Sequence, residues 1–256
     1  MSSLKNALCN LAMMPMREEP KHRAQMVSML LFGELYRVLE TQEYWHKVSS
    51  LHDNYEGWIY SRKPLFVDED FIEKYNAETP KYSSHALFQS NGLCLPFGSR
   101  LPLLAESEFY AGNQKHFYAG SYMESLKNAS GEDIVSIAEK FFGTPYLWGG
   151  RNIMGIDCSG LTQMCYKICG ISIPRDAYQQ AKIGEDVKEL SEVKAGDLAF
   201  FSENNRVTHV GILTGDGHII HASEWVRKDK IDENGIYNND LEAYTLKASS
   251  IKRIID

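Results

Sequence analysis

The sequence contains no long apolar run. Its longest near-apolar stretch, Met26 to Phe32, falls far short of the ~20 residues that a membrane-spanning helix requires. Nor does it carry an excess of basic charge. The 27 Lys and Arg against 34 Asp and Glu leave a net charge of −7, which argues against a nucleic-acid partner. Cysteine is sparse and odd in number: Cys9, Cys94, Cys158, Cys165 and Cys169. An odd count in a long chain excludes a disulfide scaffold, and no pair has the C-x-x-C spacing of a zinc site. Free thiols suit a reducing compartment such as a cytoplasm. Met1 to Pro20 has no continuous apolar segment and no A-x-A cleavage signal. The expectation is therefore a cytoplasmic protein, or a periplasmic or exported one if a leader has been removed.

What is present is an ordinary globular composition, 43% hydrophobic and 24% charged, on a chain long enough for one to three domains. The first ~125 residues have the texture of short strands. Glu34 to Leu39, Tyr44 to Leu51 and Gly57 to Ser61 predict three of them, with a turn at Asp53-Asn54. Glu69 to Thr79 is polar and reads as a helix-tolerant connector. A second strand-rich stretch runs from His85 to Tyr122, broken by Pro96, Gly98, Pro102 and Gly112.

The period then changes. Ser130-Gly-Glu-Asp133 predicts a capped helix start, with Ile134, Ile137, Ala138, Phe141 and Phe142 at helical spacing. Gly143 and Pro145 stop it. A second, amphipathic helix is predicted from Cys158 to Cys169, with Leu161, Met164, Cys165 and Ile168 as its apolar stripe. Strands follow over 198–202, 209–214 and 218–223. The expected class is α+β, in three parts: 1–63, 64–126 and 127–256.

Cys158 stands in Gly155-Ile-Asp-Cys-Ser-Gly160 at that helix start. Free backbone N–H groups and about half a positive charge there favour a thiolate, the nucleophilic form. The flanking glycines would allow close approach of a substrate. A nucleophilic thiol needs a base, and the base an orienting group. His209 and His221 lie on two strands separated by Gly215-Asp-Gly217. If those three residues form the turn, Thr214 pairs with His218 and His221 faces Gly211. The two histidines are then diagonal neighbours on one face. The spacing predicts a relay in which His221 orients His209 and His209 activates Cys158. A two-residue turn would put them on opposite faces. His218 has the wrong parity. A zinc reading of Cys158, His209 and His221 lacks a paired-ligand motif. Neither a metal nor a cofactor is expected. Tyr146, in Pro145-Tyr-Leu-Trp-Gly-Gly150, offers a hydroxyl to a developing oxyanion, against an ordinary packing role.

Together, Tyr146-Leu-Trp-Gly-Gly, Gly155-Ile-Asp-Cys-Ser-Gly-Leu161, Gly196-Asp-Leu, His209-Val-Gly-Ile and His221-Ala-Ser resemble the NlpC family of papain-like cysteine peptidases. The likeness covers roughly residues 130–256. It implies a Cys158–His209–His221 triad, with Tyr146 assisting at the oxyanion. It implies hydrolysis of cell-wall peptides at the bond from γ-D-glutamate to a diamino acid. Arg175 and Gln179 also fit the family's pattern and read as structural. Trp45-x-x-Val48 and Tyr55-Glu-Gly-Trp-Ile59 resemble a bacterial SH3-like domain, and Leu95-Pro-Phe-Gly-Ser99 resembles the start of a second.

This combination is similar to the dipeptidyl-peptidase subgroup, which accepts small murein peptides with a free N-terminal L-alanine and serves peptidoglycan recycling. The resemblance implies that Asp157 and Ser159 hold the free amine and that Tyr55 contributes. Gln25, Glu34 and Glu56 all remain open for an acidic partner. The alternatives are an exported wall-remodelling endopeptidase with an open groove, an acyltransferase or amidase on the same Cys-His scaffold, and a degenerate wall-binding protein.

Overall fold

The computed structural model describes residues 5–85, 87–90 and 92–255. The chain divides between Ser125 and Leu126 into two units, next to the change of period at Lys127.

The first unit is built on a seven-stranded antiparallel sheet. Its strands are β1 (Lys5–Leu8), β2 (Met13–Arg17), β3 (Met26–Leu31), β4 (Leu35–Gln42), β5 (Trp45–Ser50), β6 (Glu56–Tyr60) and β7 (Leu65–Phe66), in the order β3-β2-β6-β5-β4-β1-β7. β4, β5 and β6 fall where alternation predicts them. β1, β2 and β3 were not legible, because Pro15 interrupts β2 and the run into β3 does not alternate.

Helix α1 (Glu69–Ala77) follows, capped by Asp68, whose carboxylate accepts from the Phe71 N–H at 2.9 Å. It is more than a connector, since Phe71 enters a core with Leu8, Phe32, Leu35, Leu95 and Phe109. The remaining strands are β8 (Lys81–Ser83), β9 (Leu87–Ser90), β10 (Leu93–Pro96), β11 (Glu108–Ala111), β12 (Gln114–Phe117) and β13 (Tyr122–Glu124). They pair as three two-stranded ladders, β9-β10, β11-β12 and β8-β13.

Among the described residues of this unit two apolar clusters are present, but they do not separate at residue 63. The cluster around Phe71 takes Leu8, Phe32 and Leu35 from before that point. β1 pairs with β7 across it, and the Arg100 N–H donates to the Phe32 carbonyl at 3.0 Å. Gly33, at φ +80°, lies so close to this strand that a Cβ would stand 2.3 Å from the Arg100 oxygen.

The second unit begins with α2 (Gly131–Glu139). Its start is the expected capping box: Ser130 Oγ accepts from the Asp133 N–H, and Asp133 accepts from the Ser130 N–H at 2.9 Å. The helix ends before Phe142, which is exposed. A small ladder of β14 (Arg151–Asn152) and β15 (Gly155–Ile156) leads into α3 (Cys158–Ile168), and α4 (Ala177–Gln180) follows.

The sheet has eight strands: β16 (Glu185–Asp186), β17 (Leu198–Glu203), β18 (Arg206–Leu213), β19 (His218–Ala222), β20 (Val226–Asp232), β21 (Gly235–Asn238), β22 (Ala243–Tyr244) and β23 (Ala248–Arg253). Their order is β16-β23-β17-β18-β19-β20-β21-β22, all antiparallel.

α3 packs on the middle of this sheet, against β18 and β19, with α2 beside it. The predicted amphipathic stripe understates its burial: every residue of α3 is buried. Leu161 and Met164 each contribute about 1.5–3 kcal/mol by leaving water. Polar residues of this helix bond within the fold. Thr162 Oγ1 donates to Gln180 Oε1 at 2.8 Å, and Gln163 Nε2 donates to the Ile173 carbonyl at 3.2 Å. Among the described residues no helix is long and apolar enough to cross a membrane.

Candidate active site

The site forms where the N-terminus of α3 meets the middle of the sheet. The turn between β18 and β19 is Gly215-Asp-Gly217, and the Thr214 N–H donates to the His218 carbonyl. Gly211 therefore pairs with His221, in the register the spacing predicts. His209 stands two residues from Gly211 on the same face of β18. Its Nε2 lies 2.8 Å from His221 Nδ1, and both rings are buried. His218 points elsewhere, towards Asp216.

Cys158 is the first residue of α3 and is buried. Its thiol sits against the backbone N–H groups of Val210, next in sequence to His209, and Ser159. The Cys158 and Ser159 N–H groups, at the first two helical positions, have no acceptor within the helix. N–H groups at such positions are available to an oxyanion, as in acyl-transfer sites generally. Tyr146 belongs to the same site. It bridges Ile156, two residues before the thiol, and its phenol is pushed up by burial and by Cys158 and Asp157, so it remains a donor.

Electrostatics reverse one expectation. A helix N-terminus lowers a thiol pKa, but here burial dominates and pushes Cys158 up to about 11, with Asp157 adding to the effect. The Val210 and Ser159 N–H groups and Arg175 oppose it without overcoming it. His209 is pushed down to about 3, first by burial and then by His221. The resting pair is therefore a neutral thiol beside a neutral imidazole. His209 keeps an unprotonated ring nitrogen at ordinary pH.

Three residues act behind this pair. Asp229, on β20, places Oδ2 3.0 Å from His221 Nε2 and is 1% exposed. Burial pushes its carboxyl up, but hydrogen bonds from His221 and Arg227 outweigh that and hold it below the usual range. Arg227 grips it with Nε at 2.8 Å and Nη2 at 3.0 Å. The predicted strands end at 223, so Asp229 was missed. The signal was its parity, shared with Arg227 and Ile231. The third residue is Gln180, whose amide donates to the Ser159 and Pro174 carbonyls. Its neighbour Gln179, expected to be structural, accepts from the Asp176 N–H at the start of α4.

The flanks of the thiol are tied into the fold. Asp157 is the N-cap of α3 and accepts from the Gly160 N–H at 2.7 Å and the Gly149 N–H at 2.8 Å. Arg175, 1% exposed, adds two bonds to the same carboxylate, at 3.0 and 2.7 Å. Ser159 Oγ donates to Asp157 and accepts from Arg175 at 2.9 Å. Asp157 is thus held in place by donors within the fold. Ser159 is largely occupied by the same clamp.

The glycines here serve backbone packing, not approach of a substrate. A Cβ on Gly160 would stand 2.2 Å from the Gly150 oxygen, and one on Gly150 would stand 2.4 Å from the Gly155 oxygen.

Tyr55 belongs to the first unit. It is half-buried before β6 and packs on the core cluster of Met14, Met16 and Val48. Of the open acidic candidates there, Glu34 is buried and accepts from the Leu31 N–H at 2.9 Å, and Glu56 pairs with Lys47 at 2.8 Å. Gln25 is exposed.

A buried thiol at a helix N-terminus, facing a two-histidine relay on an antiparallel sheet, is the apparatus of a cysteine peptidase. Residues 143–248 match the NlpC/P60 family, and residues 16–63 match the bacterial dipeptidyl-peptidase Sh3 domain. Over 217 residues the chain is 34% identical to the gamma-D-glutamyl-L-lysine dipeptidyl-peptidase of Bacillus subtilis (strain 168), spanning 75% of this chain and 71% of that one. The protein of the same name from Bacillus cereus (strain ATCC 10987 / NRS 248) is 28% identical over 229 residues, spanning 78% and 68%. A crystal structure of an NlpC/P60 family protein from Bacillus cereus ATCC 10987 shares the fold, with a TM-score of 0.81 over 98% of this chain and 100% of that one, at 21% identity. The chain belongs to the NlpC/P60 family of cysteine peptidases.

Proposed function

We propose that the protein hydrolyses the bond from γ-D-glutamate to the L-diamino acid in small murein peptides. It takes those with a free N-terminal L-alanine, releases L-Ala-γ-D-Glu, and serves peptidoglycan recycling in the cytoplasm. The observation that carries the reading is the buried Cys158, its thiol against the Val210 N–H next to His209, with His209 2.8 Å from His221, in a chain similar to gamma-D-glutamyl-L-lysine dipeptidyl-peptidases. The match of residues 16–63 to a dipeptidyl-peptidase Sh3 domain supports the preference for a free amine. The free state of all five cysteines suits a reducing compartment.

The chemistry follows from the site. His209 takes the Cys158 proton as Sγ attacks the γ-glutamyl carbonyl carbon. The N–H groups at the start of α3 and the Tyr146 hydroxyl hold the oxyanion. The C–N bond breaks as His209 returns the proton to the leaving amine, and a thioester remains. Water, deprotonated by His209, attacks the thioester and frees the dipeptide acid and the thiol.

The test is cleavage of L-Ala-γ-D-Glu-L-Lys and its diaminopimelate counterpart, each with a free or an acetylated N-terminus, read by mass spectrometry. The reading expects cleavage of the free-amine forms only. Equal cleavage of acetylated peptide would mean an open-groove endopeptidase, and no cleavage of any would direct attention to acyl transfer. Tyr55→Phe on the same substrates reads the contribution expected of that hydroxyl.

A further inference from the structure

We propose that Asp229 is a positioning residue that fixes the direction of the histidine relay, making His209 a base and not a donor. The inference rests on His209 serving the thiol. It comes from three adjacent strands. His209 on β18, His221 on β19 and Asp229 on β20 step diagonally across one face, because Gly211 pairs with His221 and His221 pairs with Arg227. Arg227 and Asp229, two apart, point to that face, while Lys228 and Lys230 are exposed.

With Asp229 ionised beside Arg227 and His221 neutral, the contacts along this line allow one proton order. An ionised carboxylate only accepts, so His221 Nε2, 3.0 Å from Asp229 Oδ2, carries the hydrogen. A neutral imidazole has one N–H, so His221 Nδ1 is an acceptor. The partner of Nδ1 is His209 Nε2 at 2.8 Å, which therefore donates. That leaves the lone pair of His209 on Nδ1, free to receive the thiol proton. Without the carboxylate the opposite order is equally satisfied: His221 Nδ1 would donate, His209 Nε2 would accept, and His209 Nδ1 would already hold a proton. When His209 becomes an imidazolium, Asp229 is the buried negative charge at the far end of the chain.

Arg227 keeps this carboxylate from turning away. It contacts both oxygens, and is itself held by Asp240 at 2.6 Å and stacked on Trp225 at 5.0 Å. The arrangement distinguishes a directing carboxylate from a structural one, because a single lone pair of Asp229 is spent on the relay.

The experiment is 15N NMR of ring-labelled histidine, with His221 assigned from a His221→Gln sample, together with kinetics of Asp229→Asn on L-Ala-γ-D-Glu-L-Lys. In the wild type, His221 should show a pyrrole-type Nε2 and a pyridine-type Nδ1. In Asp229→Asn the amide N–H₂ donates to Nε2, the pattern reverses, and kcat falls at least tenfold with KM within about twofold. A wild-type His221 protonated at Nδ1, or an Asp229→Asn enzyme with unchanged kcat, overturns the proposal. If Asp229→Asn does not fold, the wild-type spectrum still decides. The spectrum requires no turnover, so failure to cleave any wall peptide would strike the proposed substrate and leave this inference standing.

Discussion

Asp157 and Asp229 are both buried aspartates gripped by an arginine, one on the helix side of the thiol and one on the sheet side. Asp157 spends its acceptor positions on Arg175, two backbone N–H groups and Ser159, all within the fold. Asp229 shares itself between Arg227 and a histidine that touches the base. The first closes a network and secures the helix that presents Cys158. The second leaves a network open at one end, where the reaction occurs. Similar ion pairs thus do different work, and the partner outside the pair decides which.

The largest effect expected is from Cys158→Ala, on which both sides converge. Turnover should vanish while the circular dichroism spectrum and melting transition remain those of a folded protein. Residual activity above a few per cent would remove the nucleophile assignment.

Next comes the sheet side. His209→Ala should lower kcat by about 10³-fold, within the usual range for a general base, and His221→Ala by clearly less. The reverse order, measured on the free-amine tripeptide, would contradict the relay.

On the helix side the effect should appear in stability. Arg175→Ala leaves Asp157 buried and unpaired, and should cost about 3–5 kcal/mol in urea unfolding. A loss under 1 kcal/mol would mean the clamp is not structural.

Smaller still is a pH effect. His209 is held near 3 in the fold against an ordinary 6.5, so the unfolded chain takes up a proton between those values that the folded one refuses. The stability due to its neutral burial is full above about pH 6.5 and is lost as pH falls towards 3. The urea midpoint of the wild type should therefore drop more between pH 7 and pH 4.5 than that of His209→Gln. Equal drops would show that His209 is not buried neutral.

The smallest effect is expected from Ser159→Ala. It should cost about 1 kcal/mol of stability for the lost hydrogen bonds and leave the preference for free over acetylated amine intact.

Much of this site was legible because turn chemistry and strand parity are strictly local. Gly215-Asp-Gly217 fixed the register, and the register placed His209 beside His221. Ser130 and Asp133 likewise identified the start of α2. What the sequence concealed depended on distant partners. The contact of Asp157 with Arg175 was hidden because Arg175 lies eighteen residues away. Asp229 was not singled out, because the histidine it contacts is on another strand. The full burial of α3 was hidden because Gln163 and Thr162 find partners after the helix, at Ile173 and Gln180. Cys158 carried the opposite pKa direction because burial, a tertiary property, outweighs the helix terminus.

The central claim is that Cys158 is the nucleophile of a two-step hydrolysis. The most direct measurement is rapid-quench mass spectrometry with L-Ala-γ-D-Glu-L-Lys, followed by acid digestion to map any adduct. The account predicts a transient L-Ala-γ-D-Glu thioester on the peptide containing Cys158, absent from Cys158→Ala. Turnover in the absence of any adduct, with activity retained in Cys158→Ala, would contradict it.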